Sequence, residues 1–209
     1  MKKSIILYAL VSFFVIGAFT CPLGAAYVYP LECFTDNGDY VDILNVFVEV
    51  DGTDDYVDFT FRNQSSFSSA ISEIYFEQNT LLGSASLSNG PGVLFAQFAK
   101  PKNLPAGRSL NPAFLSSGEF TFDSEPAPPK NGINPDEWLR ITFDLNIDVT
   151  FAFLLDRLNT DNLRIGAHII ALPDGSSESA VTTPEPATIA LLAFGSLAMF
   201  NRRNKFKRD

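Results

Sequence analysis

The stretch Val46-Phe47-Val48-Glu49-Val50, Asp51-Gly52-Thr53-Asp54-Asp55, Tyr56-Val57-Asp58-Phe59-Thr60-Phe61 decides the fold class. Its apolar residues recur at every second position on both sides of a polar break, the spacing a half-buried strand requires because successive side chains point to opposite faces of a sheet. Asp51-Gly52 supplies the backbone freedom a reversal needs, so the stretch reads as a β-hairpin.

The same period of two returns at Ile74 and Phe76, at Ile141, Phe143 and Leu145, and at Ile165, Ala167 and Ile169. Phe and β-branched residues fill these runs, as strands favour. The expectation is a mainly β body, an antiparallel β-sandwich of jelly-roll type with roughly eight strands. One segment breaks the pattern. Thr150 can cap a helix in which Phe151, Leu154, Leu155 and Leu158 share one face, so one short helix should pack on the sheet. The stretches Lys100 to Pro112 and Asp123 to Pro135 are rich in Pro, Asn and Gly and read as surface loops.

The two ends differ from the body. Of 209 residues, the first 26 begin Met1-Lys2-Lys3, continue through an apolar run to Thr20 and close on Gly24-Ala25-Ala26. That order is a secretory signal peptide: the lysines stay cytoplasmic, the apolar run enters the Sec machinery, and the small residues fit signal peptidase. Pro22 argues against an uncleaved anchor. Phe19 sets a bulky ring where lipid attachment at Cys21 would need a small side chain. If Cys21 leaves with the signal, Cys33 is the only cysteine of the mature chain, no internal disulfide forms, and stability must come from packing. Cys33 reads as a small half-buried apolar residue.

From Tyr27 to Thr183 the chain carries 22 acidic and 8 basic residues, a net charge of −14. Such a surface repels phosphates, so nucleic acid is excluded as a partner. The remaining basic residues sit at the two ends.

The C-terminal end has three parts in fixed order: Pro184-Glu185-Pro186, an apolar stretch from Ala187 to Phe200, and a basic end holding Arg202, Arg203, Lys205, Lys207 and Arg208. The basic end prefers the cytoplasmic side and acts as a membrane stop, which leaves the body outside. The apolar stretch spans about 21 Å as a helix against a hydrocarbon core of about 30 Å. It suits a transient span of the inner membrane better than a permanent one. The two prolines keep Glu185 extended and out of the helix.

These residues resemble the PEP-CTERM sorting tail of Gram-negative bacteria. The resemblance implies that an exosortase, a membrane enzyme, recognises the tail and processes it near Pro184, Glu185 and Pro186, in cells that make extracellular polysaccharide. A sortase tail would need Leu-Pro-x-Thr-Gly, and Leu172-Pro173-Asp174-Gly175 lacks the threonine and lies too early. The body, through Ile74-Tyr75-Phe76, Leu81-Leu82-Gly83, Asn131-Gly132-Ile133-Asn134-Pro135 and Leu163-Arg164-Ile165-Gly166, also resembles an ectodomain recurrent among PEP-CTERM proteins. That resemblance implies no activity.

The organisation expected is therefore signal peptide 1–26, β-sandwich 27–174, a Ser-rich flexible linker 175–183, and sorting tail 184–209 with its apolar helix at 187–200 and basic end at 201–209. Candidate chemistry is sparse. His168, the only histidine, falls on the polar side of its strand with Arg164 and Gly166 and reads as structural. No Gly-x-Ser-x-Gly motif is present. Asp51, Asp54, Asp55 and Asp58 lie within one hairpin and offer oxygen ligands of the kind calcium takes, although their spacing completes no EF-hand loop. Trp138 is a candidate for stacking on sugar rings or for anchoring the core. The reading is of an exported surface or matrix protein with a non-catalytic body and no cofactor; the alternative is a glycan-binding module of the exopolysaccharide matrix.

Overall fold

The computed structural model describes residues 26–125 and 128–183. The expected signal helix and C-terminal membrane helix lie outside the described residues. No helix among the described residues is long and apolar enough to cross a membrane.

Among the described residues ten strands form the body: β1 (Tyr27–Cys33), β2 (Val46–Gly52), β3 (Tyr56–Asn63), β4 (Ala70–Phe76), β5 (Leu82–Asn89), β6 (Phe95–Gln97), β7 (Thr121–Ser124), β8 (Trp138–Leu145), β9 (Ile165–Ile170) and β10 (Glu178–Thr182). One helix, α1 (Phe151–Asn159), lies between β8 and β9. All pairings are antiparallel, in the order β5-β8-β3-β2-β1-β10-β9-β4-β7-β6.

The hairpin of β2 and β3 forms as expected, with Val48 opposite Phe61 and Val50 opposite Phe59. The mainly β, antiparallel class is observed, but the strands do not divide into two separate sheets. Strand β1 joins both halves, pairing with β2 through Tyr27–Pro30 and with β10 through Leu31–Cys33. A strand that changes partner midway lets a sheet turn a corner. The result is one continuous sheet, nearly closed into a barrel, with β5 and β6 as its two ends.

Inward-facing rings fill the interior. Phe76 on β4 meets Phe59 on β3 and Phe143 on β8, each at 4.9 Å between centroids and edge-on. Phe122 on β7 lies 6.0 Å from both Phe76 and Phe143. Edge-to-face packing sets the positive rim of one ring against the negative face of another, and here it ties the two halves of the sheet together.

Helix α1 starts where the sequence predicts. Thr150 Oγ1 accepts from the Phe153 amide at 3.2 Å, and Asp54 Oδ1 accepts from the Phe151 amide at 2.9 Å. Two otherwise unpaired helix amides are thereby satisfied. Leu154, Leu155 and Leu158 are buried in the main core.

The expected linker at 175–183 is corrected. Residues Glu178–Thr182 are strand β10, between β1 and β9, and every one of them is buried. Ser-rich composition misleads here because the polar groups have partners within the fold. Glu178 accepts from Thr35 Oγ1 at 2.6 Å and from the Asn37 amide at 2.9 Å, and Thr182 Oγ1 accepts from the Ile165 amide at 3.0 Å. The folded body thus extends past the expected boundary at 174.

The segment 100–115 lies on the body as an ordered cover. Leu104 and Phe114 are buried with Tyr75 and Val181 in a second, small apolar cluster on the outer side of β4, β9 and β10. Arg164 fixes this cover by donating to Pro112 O at 2.9 Å and Ala113 O at 3.1 Å. Gly166 gives it room, since a Cβ there would stand 2.7 Å from Leu104 Cδ2.

Candidate functional site

The first and last strands among the described residues meet along one seam. Leu31 pairs with Thr182, Glu32 with Val181 and Cys33 with Ala180. Beyond the strand, Phe34 N donates to Ser179 O at 3.0 Å, and at the other end Thr183 N reaches Pro30 O at 3.4 Å. Thr183, directly before Pro184 in sequence, is therefore held in the middle of the sheet beside Pro30. Where β1 leaves β2, a groove of about 690 Å³ opens between Leu31–Cys33 on one side and Val41–Val46 on the other.

A family model for the PEP-CTERM protein-sorting motif matches residues 182–205. The chain carries a PEP-CTERM sorting motif. It is thereby marked for export and for sorting to the surface through an exosortase. No match to the chain is found among curated proteins or among solved structures. The motif's match begins at Thr182, a buried residue of β10, so body and sorting signal overlap. Pro184, Glu185 and Pro186, and the membrane-stop residues Arg202, Arg203, Lys205, Lys207 and Arg208, lie outside the described residues.

The four hairpin aspartates have separate tasks. Asp51 Oδ1 accepts from its neighbour Gly52 N at 2.8 Å, while Asp54 caps α1. Asp55 is exposed, and its carbonyl accepts from Leu145 N at 2.9 Å. Asp58 accepts from Thr142 Oγ1 at 2.5 Å and faces Arg140 at 3.7 Å. Asp51 and Asp58 are cross-strand neighbours, and Arg140 offsets the repulsion between them. Among the described residues, no three His, Cys, Asp or Glu side chains are grouped to hold a metal ion.

Trp138 opens β8, half-buried, opposite Arg62 of β3. Its indole lies against Gly90, where a Cβ would stand 3.1 Å from the ring. Alternation along β8 puts Trp138 on the outer face with Arg140 and Thr142.

His168 does not stand free on a solvated face. Its Nδ1 lies 3.2 Å from Glu73 Oε2, and the Tyr75 hydroxyl lies 2.8 Å from the same oxygen. The Tyr75 hydroxyl is also 3.2 Å from Pro101 O. Burial, then the hydrogen bond and charge of Glu73, push the Tyr75 phenol above its ordinary range. Asp123 is directly opposite Glu73 on β7. Its carboxyl is also held high, chiefly by burial.

This Glu73–Tyr75–His168–Asp123 cluster was not legible beforehand. Its members come from three strands, and only the register of β4 against β7 and β9 brings them together. Cys33 is on the opposite, inward face, packed against the main core. Burial, with the negative charge of Glu178 behind it, pushes the Cys33 thiol up to about 12. A thiol so held remains protonated and is a poor nucleophile.

Proposed function

We propose that the body is a non-catalytic protein of the cell surface or the extracellular polysaccharide matrix, exported behind its signal peptide and processed by an exosortase at its C-terminal motif. The sorting match that starts at Thr182, at the close of an acidic ectodomain, carries this reading. Export uses the Sec machinery and signal peptidase at 1–26. Transient anchoring uses the apolar helix 187–200, held by the basic end 201–209. The separation of Cys33 and His168 onto opposite faces supports a body without a cysteine–histidine nucleophile.

Intact mass and location of the exported protein, with and without the exosortase, test the reading. A species beginning near Tyr27 and ending near Pro184 to Pro186 only when the enzyme is present is the expected result. A tail retained in the membrane in both strains would reduce the protein to an ordinary anchored ectodomain. Product release from a panel of glycans and esters would overturn the non-catalytic part.

A second reading, glycan binding within the exopolysaccharide, is favoured by one observation. Half-buried Trp138 shares an outer sheet face with Arg62 and Arg140, an aromatic plane beside hydrogen-bond donors, as sugar recognition uses. Titration with the host's exopolysaccharide, comparing Trp138→Ala, decides it: binding lost in the variant supports the role, and no binding by either protein removes it.

A further inference from the structure

The body's negative charge is unevenly spread. From Asn79 to Gly118 the chain has no acidic residue and three basic ones, Lys100, Lys102 and Arg108, while the rest of 27–183 carries all 22 acidic residues. All three basic side chains are exposed. Elsewhere Arg62, Arg140 and Arg164 face Glu49, Asp58 and Glu77. Among the described residues, Lys100, Lys102 and Arg108 form no salt bridge.

Phe98 lies at the same place and is 64% exposed. Its backbone is held at φ +74°, a region that bulky residues seldom enter. The amides of Phe98 and Ala99 both donate to Thr121 O, at 2.8 and 3.4 Å, in a turn that buries Ala99 and leaves the ring in solvent. A Cβ on Gly118 would stand 3.8 Å from Lys102 Cε and 4.0 Å from Phe98 Cδ1, so the lysine stem and the ring flank one glycine. Exposed Leu115 borders them, since the hydroxyl of Ser116 donates to Lys102 O at 2.6 Å. Apolar side chains set among basic ones suit a surface that lies on anionic lipid, with the apolar parts entering the headgroup boundary.

The sheet register sets this patch near the sorting match. Leu104 and Phe114 pack with Val181 of β10, the residue before the match begins. Arg108 follows Gly107, where a Cβ would stand 3.3 Å from the Cβ atoms of both Leu104 and Phe114. Val181 pairs with Gly166, Gly166 with Tyr75 and Tyr75 with Thr121, whose carbonyl holds Phe98. Four strand spacings, about 19 Å, therefore separate Phe98 from Val181. Five residues lie between Val181 and Ala187, where the apolar stretch begins, and six steps of chain reach at most about 22 Å. Two acidic residues border the patch: Glu119, next to Gly118, and Asp123, which accepts from the Lys100 amide. Charges more than about 8 Å apart are largely screened at physiological salt, so the acidic remainder weakly opposes contact made through this face.

We propose that Phe98 and Leu115, set among Lys100, Lys102 and Arg108, dock the body on the anionic phospholipid surface of the membrane that its own tail enters. This deepens the sorting reading and rests on its apolar stretch 187–200 entering the bilayer. Docking gives the tethered body one orientation. Strand β8, across the core from β4 through the contact of Phe143 with Phe76, turns Trp138 away from the lipid.

The test uses the exported chain with its tail, purified from cells lacking the exosortase. It is reconstituted in vesicles of phosphatidylcholine with brominated acyl chains, which quench a nearby indole, with or without an equal part of phosphatidylglycerol. The wild type's one tryptophan, Trp138, reports the far face, and Phe98→Trp with Trp138→Phe moves the indole to the patch. That indole should lose about half its emission in anionic vesicles and at least about threefold less in neutral ones or in about 1 M salt, while Trp138 stays unquenched. Lys100→Glu with Lys102→Glu should abolish the quenching. No quenching at position 98, quenching independent of lipid charge, or equal quenching at position 138 would overturn the docking. Salt-sensitive dimers without quenching would overturn it too, by assigning the patch to a second copy. If the variants lose the wild-type thermal transition, lysine acetylation of the wild type decides. Lys100 and Lys102 protected at least about threefold by anionic over neutral vesicles supports the proposal, and equal labelling defeats it. Flotation reads the tail separately: a chain that floats without quenching keeps its anchor and loses the docking, and one that does not float loses both.

Discussion

Arg164 and Glu77 form a two-point ion pair, Nε to Oε2 at 2.9 Å and Nη2 to Oε1, with the arginine side chain only 8% exposed. The same guanidinium holds the carbonyls of Pro112 and Ala113. One side chain therefore joins the end of β4, the start of β9 and the cover segment 100–115.

Removing it should cost more than an exposed pair does. Arg164→Ala leaves the Glu77 carboxylate half-buried without its partner, a change worth about 3–5 kcal/mol when charges are buried. The urea midpoint should fall accordingly, and proteolysis within 100–115 should rise. Arg164→Lys should not restore the wild-type midpoint, because an ammonium cannot reproduce the planar fork.

Phe76 is the ring at which the two halves of the sheet meet. Phe76→Ala removes edge contacts to Phe59, Phe61, Phe122 and Phe143 at once. A loss of about 3–5 kcal/mol is expected, measured by chemical denaturation, whereas Phe76→Leu should lose much less. Equal losses for the two variants would show that ring packing does not hold the halves together.

The carboxyl of Asp123 has its pKa raised, first by burial and then by the charges of Glu125 and Glu73, while the backbone amide of Lys100 opposes the rise. A folded value above the unfolded one means that the folded state keeps the proton more tightly. Its stabilising contribution is present at low pH and is lost as pH climbs through the folded value. Asp123→Asn should therefore be more stable than wild type at pH 7, with the advantage gone below about pH 4. Denaturation midpoints at the two pH values check this.

Cys33 should resist alkylation. With its thiol pushed up to about 12, reaction with iodoacetamide at pH 8 should run at least about 100-fold slower than for an exposed cysteine. Glu178→Gln should speed it by removing the negative charge behind the thiol. Rapid labelling of the folded wild type would contradict the buried placement.

Much of the body was legible because its signals are local. The β2–β3 hairpin follows from alternation and Asp51-Gly52, and the start of α1 follows from Thr150 with Leu154, Leu155 and Leu158. What escaped depends on distant partners. Strand β5 is half serine and glycine, Gly83, Ser84, Ser86 and Ser88, and is held by its pairing with β8. Strand β10 reads as linker until Thr35, Asn37 and Ile165 supply hydrogen bonds to its polar groups. The outer face of β9 reads as solvated because nothing in Lys100 to Pro112 announces that Leu104 will fold back over Gly166. For the sorting motif, residue order was enough; for the cluster around Glu73, register was indispensable.

The pairing of the first strand with the last also sets a timetable. A chain threaded outward from its N-terminus delivers β1 at once, yet β1 must wait for Leu31 and Cys33 to find Thr182 and Ala180. Those partners lie at or just before the start of the sorting match and emerge after every other strand of the body. Contacts so far apart in sequence form slowly and leave sheet edges exposed meanwhile. Closure of the body and delivery of the sorting motif thus fall at the same moment of export, because Thr182 belongs to both.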